Sequence, residues 1–181
     1  MPCEVRIHPG SPAGLDALDV DALALPVFES RTQPRHVSGN VDWRMCGTIA
    51  RLIQAGSFDG RPLLTPTVGR LGAQRLFMFG LGKPSAVREP QVRMKLEEIL
   101  GILSDANARS FAVAPPSTPP SLDEQEDAMD LDFAEVLLSA ISPRARSFDR
   151  VVLLDGGALR GAADQLKGWA RDGGLMWSAT N

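Results

Sequence analysis

Short apolar segments alternate with amphipathic segments along most of the chain, and this alternation limits the possible folds more than any other feature. The apolar segments have strand character and lie at 3–7, 21–28, 75–81, 110–114 and 149–155, with an edge-strand candidate at 62–68. Segments with one apolar helical face lie between them. Residues 151–154 are continuously apolar, as a strand covered on both faces requires. The pattern predicts an α/β sandwich with helices on both faces of a central mixed sheet.

The same periodicity predicts which side chains form the core. One helical face groups Cys46 with Ile49 and Ile53, so Cys46 is expected to be inert core packing. The strands are expected to bury Leu23, Leu25, Leu76, Met78, Val113, Val152 and Leu154.

Composition excludes several functional classes. The chain has 181 residues, 44% of them hydrophobic, which suits one domain with a substantial core. Its net charge is -3, so it lacks the basic excess that nucleic acid binding requires. We find no leader sequence and no apolar run long enough to span a membrane, and the only cysteines are Cys3 and Cys46. These features predict a soluble cytoplasmic protein that binds no nucleic acid and no membrane, although two cysteines leave a disulfide open.

The segment RLFMFGLGKPS at 75–85 has the outline of a strand that leads into a phosphate-binding loop. Gly80, Gly82 and Lys83 fit that outline, but Pro84 stands where a Walker loop needs a hydroxyl. The third glycine of a dinucleotide fingerprint is also absent. A tight exit from a buried strand, with Lys83 in solvent, accounts for the two glycines equally well.

Residues suited to catalysis or metal binding are few. The only histidines, His8 and His36, lie far apart and lack the spacing of a zinc site. The segment GSFDG at 56–60 does not have the order of a nucleophile elbow, and the acidic run at 123–127 lacks the spaced ligands of a calcium loop. The sequence therefore predicts no catalytic residues, no metal and no cofactor.

Several segments, taken in order, resemble the amino-terminal domain of the leucine aminopeptidase family, which comprises hexameric zinc peptidases. They are VDALALPVFE at 20–29, VDWRMCGTIARLIQAGSFDGRP at 41–62, RLFMFGLGKP at 75–84, SFAVAPP at 110–116 and the helix and strand at 132–155. The resemblance implies a three-layer α/β/α sandwich of the macro-domain type, with a mixed, mostly parallel sheet. It implies one domain at 1–172, followed by a tail at 173–181.

The family's catalytic features are not found in this sequence. The run N-T-D-A-E-G-R-L, which marks the zinc-binding domain of these peptidases, does not occur. The resemblance therefore implies a non-catalytic module for protein interaction or assembly, whose partner is a second copy or a separately encoded peptidase. Trp169, Met176 and Trp177 are the candidate interface residues, because tryptophan is enriched at interface hot spots. A lid over the protein's own core is the alternative role for the tryptophans.

A second hypothesis follows from the similarity to macro domains that bind ADP-ribose. GNVDWRMCG at 39–47 is similar to the start of their first major helix, and Asp21 would be the aspartate that reads adenine. Gly80, Gly82 and Lys83 would complete a nucleotide-type ligand site, for binding or hydrolysis. Glu29 opposes this hypothesis, because its charge would repel a diphosphate.

Overall fold

The computed structural model describes residues 2–28, 34–56, 61–66, 71–82, 89–116 and 126–178. Seven strands form one sheet in the order β3-β4-β2-β5-β6-β1-β7. The β3–β4 pair is antiparallel, and the other described pairs are parallel. The sheet is therefore mixed and mostly parallel, as predicted. The strands are β1 (Glu4–Pro9), β2 (Val20–Phe28), β3 (Leu63–Pro66), β4 (Ala73–Gly82), β5 (Ser110–Val113), β6 (Arg150–Asp155) and β7 (Met176–Trp177).

Helices cover both faces of this sheet. One layer contains α1 (Pro12–Asp16), α2 (His36–Arg44) and α3 (Thr48–Gln54). The other contains α4 (Glu89–Asp105), α5 (Glu126–Ile141), α6 (Ala158–Gly161) and α7 (Ala163–Asp172). This three-layer α/β/α arrangement confirms the predicted fold class. Among the described residues, no helix is both long and apolar enough to cross a membrane.

Two apolar clusters, one on each face of the sheet, form the core. In β2, Leu23 and Leu25 pack towards the α1–α3 layer, whereas Ala22 and Ala24 face the α4–α7 layer. This division follows from the alternation of side chains along a strand. All seven predicted core residues are buried, which confirms that part of the prediction.

Cys46 departs from the prediction. It is exposed and lies in the turn between α2 and α3, so its assignment to the core was wrong. Its φ angle of 55° and the φ angle of 73° at Gly47 are both left-handed, and this turn interrupts the helical period before α3 begins at Thr48. A periodic pattern alone does not reveal such an interruption.

The chain after α7 returns to the sheet. Leu175 is buried, and its N–H donates to the Ala170 carbonyl. The N–H groups of Met176 and Ser178 then donate to Cys3 and Val5 of the neighbouring chain segment. These bonds form β7 from residues that the sequence analysis assigned to the tail. Residues 123–125 of the acidic run at 123–127 lie outside the described residues.

Candidate functional site

A crevice opens where the neighbouring strands β1 and β6 end. Parallel strands place their carboxyl ends at one edge of the sheet, which is where ligands bind in open α/β folds. The crevice has a volume of about 490 Å³. It is lined by the turns that follow the two strands and by the start of α2, specifically Pro9, Gly10, Ser11, His36, Val37, Asn40, Asp155, Gly156, Gly157 and Arg160.

Asp155 is the buried acid of this crevice. Its Oδ1 accepts hydrogen bonds from the N–H groups of Gly157, at 2.8 Å, and Leu159, at 2.9 Å. The other carboxylate oxygen lies 3.4 Å from Nε of Arg160. Asp155 therefore ends β6 and holds the start of α6, and the φ angle of 139° at Gly157 makes a glycine necessary in that turn.

The facing wall is joined to the same turn by short contacts. The Gly10 N–H donates to the Asp155 carbonyl at 2.8 Å, and Nδ2 of Asn40 donates to the Gly10 carbonyl at 2.9 Å. A Cβ at Gly10 would lie 2.5 Å from Cγ2 of Val37, so no larger residue fits without a shift. Oγ of Ser11 accepts from the Gly14 N–H and caps α1. Each of these polar side chains thus holds the protein's own backbone.

Arg160 differs from the other polar side chains of the crevice. Its side chain is 55% exposed at the crevice, and its contact with Asp155 leaves the guanidinium partly open to solvent. His36, with a φ of 53°, begins α2 on the other side. No group of three or more His, Cys, Asp or Glu residues that could hold a metal occurs in the described parts of the chain. The crevice therefore presents a guanidinium that is partly open to solvent beside a buried carboxylate.

Asp21 lies at the amino ends of the strands, opposite to the crevice and near the start of β2. Its carboxylate accepts from the N–H of Ser110, at 2.8 Å, and from Oγ of Ser110, while its own N–H donates to that Oγ. Asp21 therefore joins β2 to the start of β5. Because it lies level with Glu4, about 16 Å of strand separates it from the crevice at Pro9.

Gly80 and Gly82 lie at the carboxyl end of β4, opposite Val27 and Phe28. Three strands separate β4 from β1. The glycines therefore lie at the same carboxyl ends of the strands as the crevice, but at a distance from it. Lys83 lies outside the described residues. The structure does not bring Asp21 together with the two glycines, and their role in ligand binding stays a prediction.

The predicted interface residues are packed to different degrees. Trp169 and Trp177 are partly buried against the α4–α7 cluster, which fits a lid over the core, whereas Met176 is 44% exposed. The most exposed large apolar side chain in the described chain is Trp43 on α2, at 64%. Trp43 is not among the interface residues predicted from the sequence.

The crevice residues were also missed. Two sequence signals could have identified them, namely the glycine of residues 9–11 directly after the first strand and the run DGG at 155–157 directly after the last buried strand. Adjacent parallel strands that are both followed by glycine turns leave a crevice beyond their carboxyl ends. The pairing of β1 with β6, which are far apart in sequence, was needed to connect the two signals.

Comparisons with known proteins agree with this fold. The chain is 29% identical over 101 residues to a probable cytosol aminopeptidase of Alkaliphilus metalliredigens, and the match covers 54% of this chain and 20% of that protein. It is 28% identical over 134 residues to the corresponding protein of Ralstonia nicotianae, covering 72% and 25%. The chain thus matches a quarter or less of the length of these relatives. No protein-family model matches the chain.

Solved structures show the same architecture. A variant of tomato leucine aminopeptidase superposes with a TM-score of 0.64 at 14% identity, covering 95% of this chain and 36% of that one. The macro domain of ganglioside induced differentiation associated protein 2 gives 0.66 at 14% identity, covering 92% and 84%. The Trypanosoma brucei macrodomain in complex with ADP-ribose gives 0.61 at 14% identity, covering 93% and 68%. The chain therefore has the macro-domain fold found in the leucine aminopeptidase amino-terminal region, and over part of its length its sequence is similar to cytosol aminopeptidases, as the resemblance predicted.

Proposed function

We propose that the protein is a non-catalytic relative of the leucine aminopeptidase amino-terminal domain and that it works by binding protein surfaces. The partner is a second copy or a separately encoded peptidase. The observation that carries the proposal is the use of polar side chains in the crevice. Asp155, Asn40 and Ser11 hold the protein's own turns. A ligand-specific pocket instead directs a few polar groups at its ligand.

Exposed apolar side chains support an interaction role. Trp43, Met94 and Leu64 are each more than half exposed, and Met176 is 44% exposed. Large apolar and aromatic side chains are the groups that anchor protein interfaces. A cytoplasmic location belongs to the same proposal, because the similar curated proteins are named cytosol aminopeptidases.

The proposal includes the lack of peptidase activity. The relatives' names describe proteins of which only a minor part matches this chain. The described residues also offer no cluster that could hold an activating metal. We expect no hydrolysis of aminoacyl amides, with or without added zinc or manganese. Turnover that persists through repurification and is lost on Asp155→Asn would contradict this part of the proposal.

Mixing the purified chain with the purified aminopeptidase of the same organism tests the interaction role. Light scattering after size exclusion would measure the mass of each protein alone and of the mixture. We expect either a self-associated species or a mixed complex. Strictly monomeric behaviour of the chain in both samples would refute the proposed function.

The crevice supports a second candidate, the binding of a small anionic ligand. Arg160 supplies a partly exposed cation there, and one macrodomain of the same fold is described in complex with ADP-ribose. Calorimetric titration with ADP-ribose, ADP and inorganic phosphate would test it. Saturable heat that is lost on Arg160→Ala would favour this candidate. Heat lost instead on Asp21→Ala or Lys83→Ala would support the site predicted from sequence.

A further inference from the structure

Trp43 is exposed, and one anchored side chain packs against its ring. The Arg44 guanidinium lies 4.7 Å from the centre of the indole ring. The same guanidinium donates to the carboxylate of Asp16 and the carbonyl of Pro12, which fix it against α1. An exposed aromatic ring that is already positioned loses little conformational entropy when a partner covers it. Trp43 therefore has the properties of a preorganised interface anchor.

Arg51 is bound to the turn that follows Trp43. Its Nη1 donates to the Cys46 carbonyl at 2.8 Å, and the Cys46 N–H donates in turn to the Trp43 carbonyl. The other described acceptor of Arg51 is the hydroxyl of Thr48, so both acceptors are uncharged. We call Trp43, Arg44 and Arg51 the basic patch.

The acid nearest to the basic patch in sequence is already engaged. The Asp42 carboxylate accepts from the N–H groups of Ile49 and Ala50, at 2.8 and 3.1 Å, and so caps α3. Asp42 is therefore directed at the helix backbone, and it leaves the charge of exposed Arg51 available to a partner.

An acidic counterpart lies on the opposite helical layer. Met94 on α4 is 59% exposed, and Glu97 and Glu98 follow it by three and four residues, on the same helical side. Lys95 pairs with Glu98 at 3.0 Å, while Glu97 is exposed. Arg93 and Lys95 flank Met94 in the sequence, and Glu97 has no ion-pair partner among the described residues. We call Met94, Glu97 and Glu98 the acidic patch.

We propose that the basic patch of one copy binds the acidic patch of a second copy. This inference rests on the proposed interaction function and names its surface and partner. Each patch combines one exposed apolar anchor with one charge that has no charged partner among the described residues. Trp43 would contact Met94, and Arg51 would pair with Glu97. Sulfur–aromatic contacts and charge complementarity favour this pairing.

The position of the two patches determines the symmetry of the assembly. They lie on opposite faces of the sheet, so the contact joins two different surfaces and leaves one free patch on each copy. Such a heterologous contact produces a ring or a chain, whereas a two-fold dimer uses the same surface twice. We expect the assembly to contain more than two copies at high concentration and to weaken as salt increases.

The exposed thiol of Cys46 provides a direct reporter of this contact. Cys46 is exposed and adjoins the basic patch, whereas Cys3 is buried, and burial raises its pKa to about 11. A thiol reagent will therefore label Cys46 in the native protein. We expect the labelling rate to fall several-fold as the protein concentration rises and sedimentation velocity detects association.

Charge reversal tests the pairing itself. Arg51→Glu and Glu97→Arg should each weaken association, and an equal mixture of the two variants should restore it, because each then carries the complement of the other. Lys167→Glu, a reversal at an exposed site on α7, is the matched control and should leave association unchanged. Trp43→Ala should weaken association roughly ten-fold or more.

Three outcomes would overturn this inference. They are a two-fold dimer, association that ignores both Trp43→Ala and the charge reversals, and a chain that stays monomeric while Cys46 labelling is independent of concentration. A chain that is monomeric alone but forms a complex with the aminopeptidase would leave the proposed function standing. The absence of both kinds of association would refute the proposed function as well.

Discussion

The crevice and the basic patch both contain a partly exposed arginine, but they differ in their other side chains. In the crevice, Asp155 and Asn40 form hydrogen bonds with the protein's own turns. In the basic patch, Trp43 remains 64% exposed although Arg44 contacts its ring. On the proposed function, the cavity at the carboxyl ends of the strands serves the protein's own structure, and the exposed helical surface is the contact for a partner.

This contrast separates stability from association. Changes at the crevice should lower the free energy of unfolding and leave association of the folded protein unchanged. Changes at the basic patch should weaken association and leave the free energy of unfolding unchanged. The following variants test that separation.

Leu154→Asp should have the largest effect, because it alters the core on which both regions rest. Leu154 is fully buried in the cluster beneath α2, directly before Asp155. An unpaired charge there should cost about 3–5 kcal/mol. Urea unfolding would measure this loss, with Leu64→Asp at a half-exposed site as the control. Equal stability of the two variants would show that the strand is not buried as described.

Asp155→Ala should have the next largest effect and should act on the crevice alone. It leaves the Gly157 and Leu159 N–H groups without their acceptor, which should cost roughly 2–3 kcal/mol. Asp155→Asn keeps an acceptor oxygen and should cost less. Unfolding curves and light scattering together would test both halves of the expectation. A change in association without a loss of stability would contradict the structural role of Asp155.

Asp21→Ala should cost about 1–2 kcal/mol, because it removes the hydrogen bonds that join β2 to Ser110. Since Asp21 lies at the opposite end of the strands from the crevice, ligand binding at the crevice should not change. Thermal unfolding would measure the loss, and titration with ADP-ribose would check for a ligand role. Loss of ADP-ribose binding at unchanged stability would favour Asp21 as a ligand residue and oppose the structural role.

Asp149→Asn should have the smallest effect, because the pair it breaks is exposed. The hydrogen bond from Arg109, at 2.7 Å, is the main cause that holds the pKa of Asp149 below its ordinary value of 3.8. A carboxylate with a lowered folded-state pKa stabilises the protein above the ordinary value, and this contribution is lost as pH falls through the lowered one. Melting temperatures of wild type and variant should differ slightly at pH 7 and converge in strong acid. A difference in melting temperature that grows in acid would contradict a stabilising Asp149 carboxylate.

The layers of the fold could be predicted from sequence because apolar periodicity depends on local chemistry. The buried strand at 151–154 and the predicted core residues are correct for that reason. Cys46 was misplaced because a left-handed turn interrupts the helical period. The short β7 has too few residues to give a periodic signal, and its hydrogen bonds are to Cys3 and Val5 at the other end of the chain.

The candidate sites were less predictable because they depend on contacts between distant segments. The crevice requires β1 to pair with β6, whose residues lie 146 positions later in the chain than their partners in β1. The position of Arg44 against the Trp43 ring depends on a contact between Arg44 and Asp16 on different helices. Sequence identifies tryptophan as a candidate anchor, but burial decides which tryptophan is available. Trp169 and Trp177 pack partly against the core, and Trp43 does not.

Sedimentation velocity on wild type, Trp43→Ala and Asp155→Asn, over a range of protein concentrations, would show which surface drives association. We expect wild type and Asp155→Asn to associate alike as concentration rises. We expect Trp43→Ala, with a wild-type melting temperature, to remain monomeric at concentrations where the other two associate. Equal association of all three variants, or loss of association in Asp155→Asn alone, would contradict the claim that the exposed helical surface, and not the crevice, is the working site.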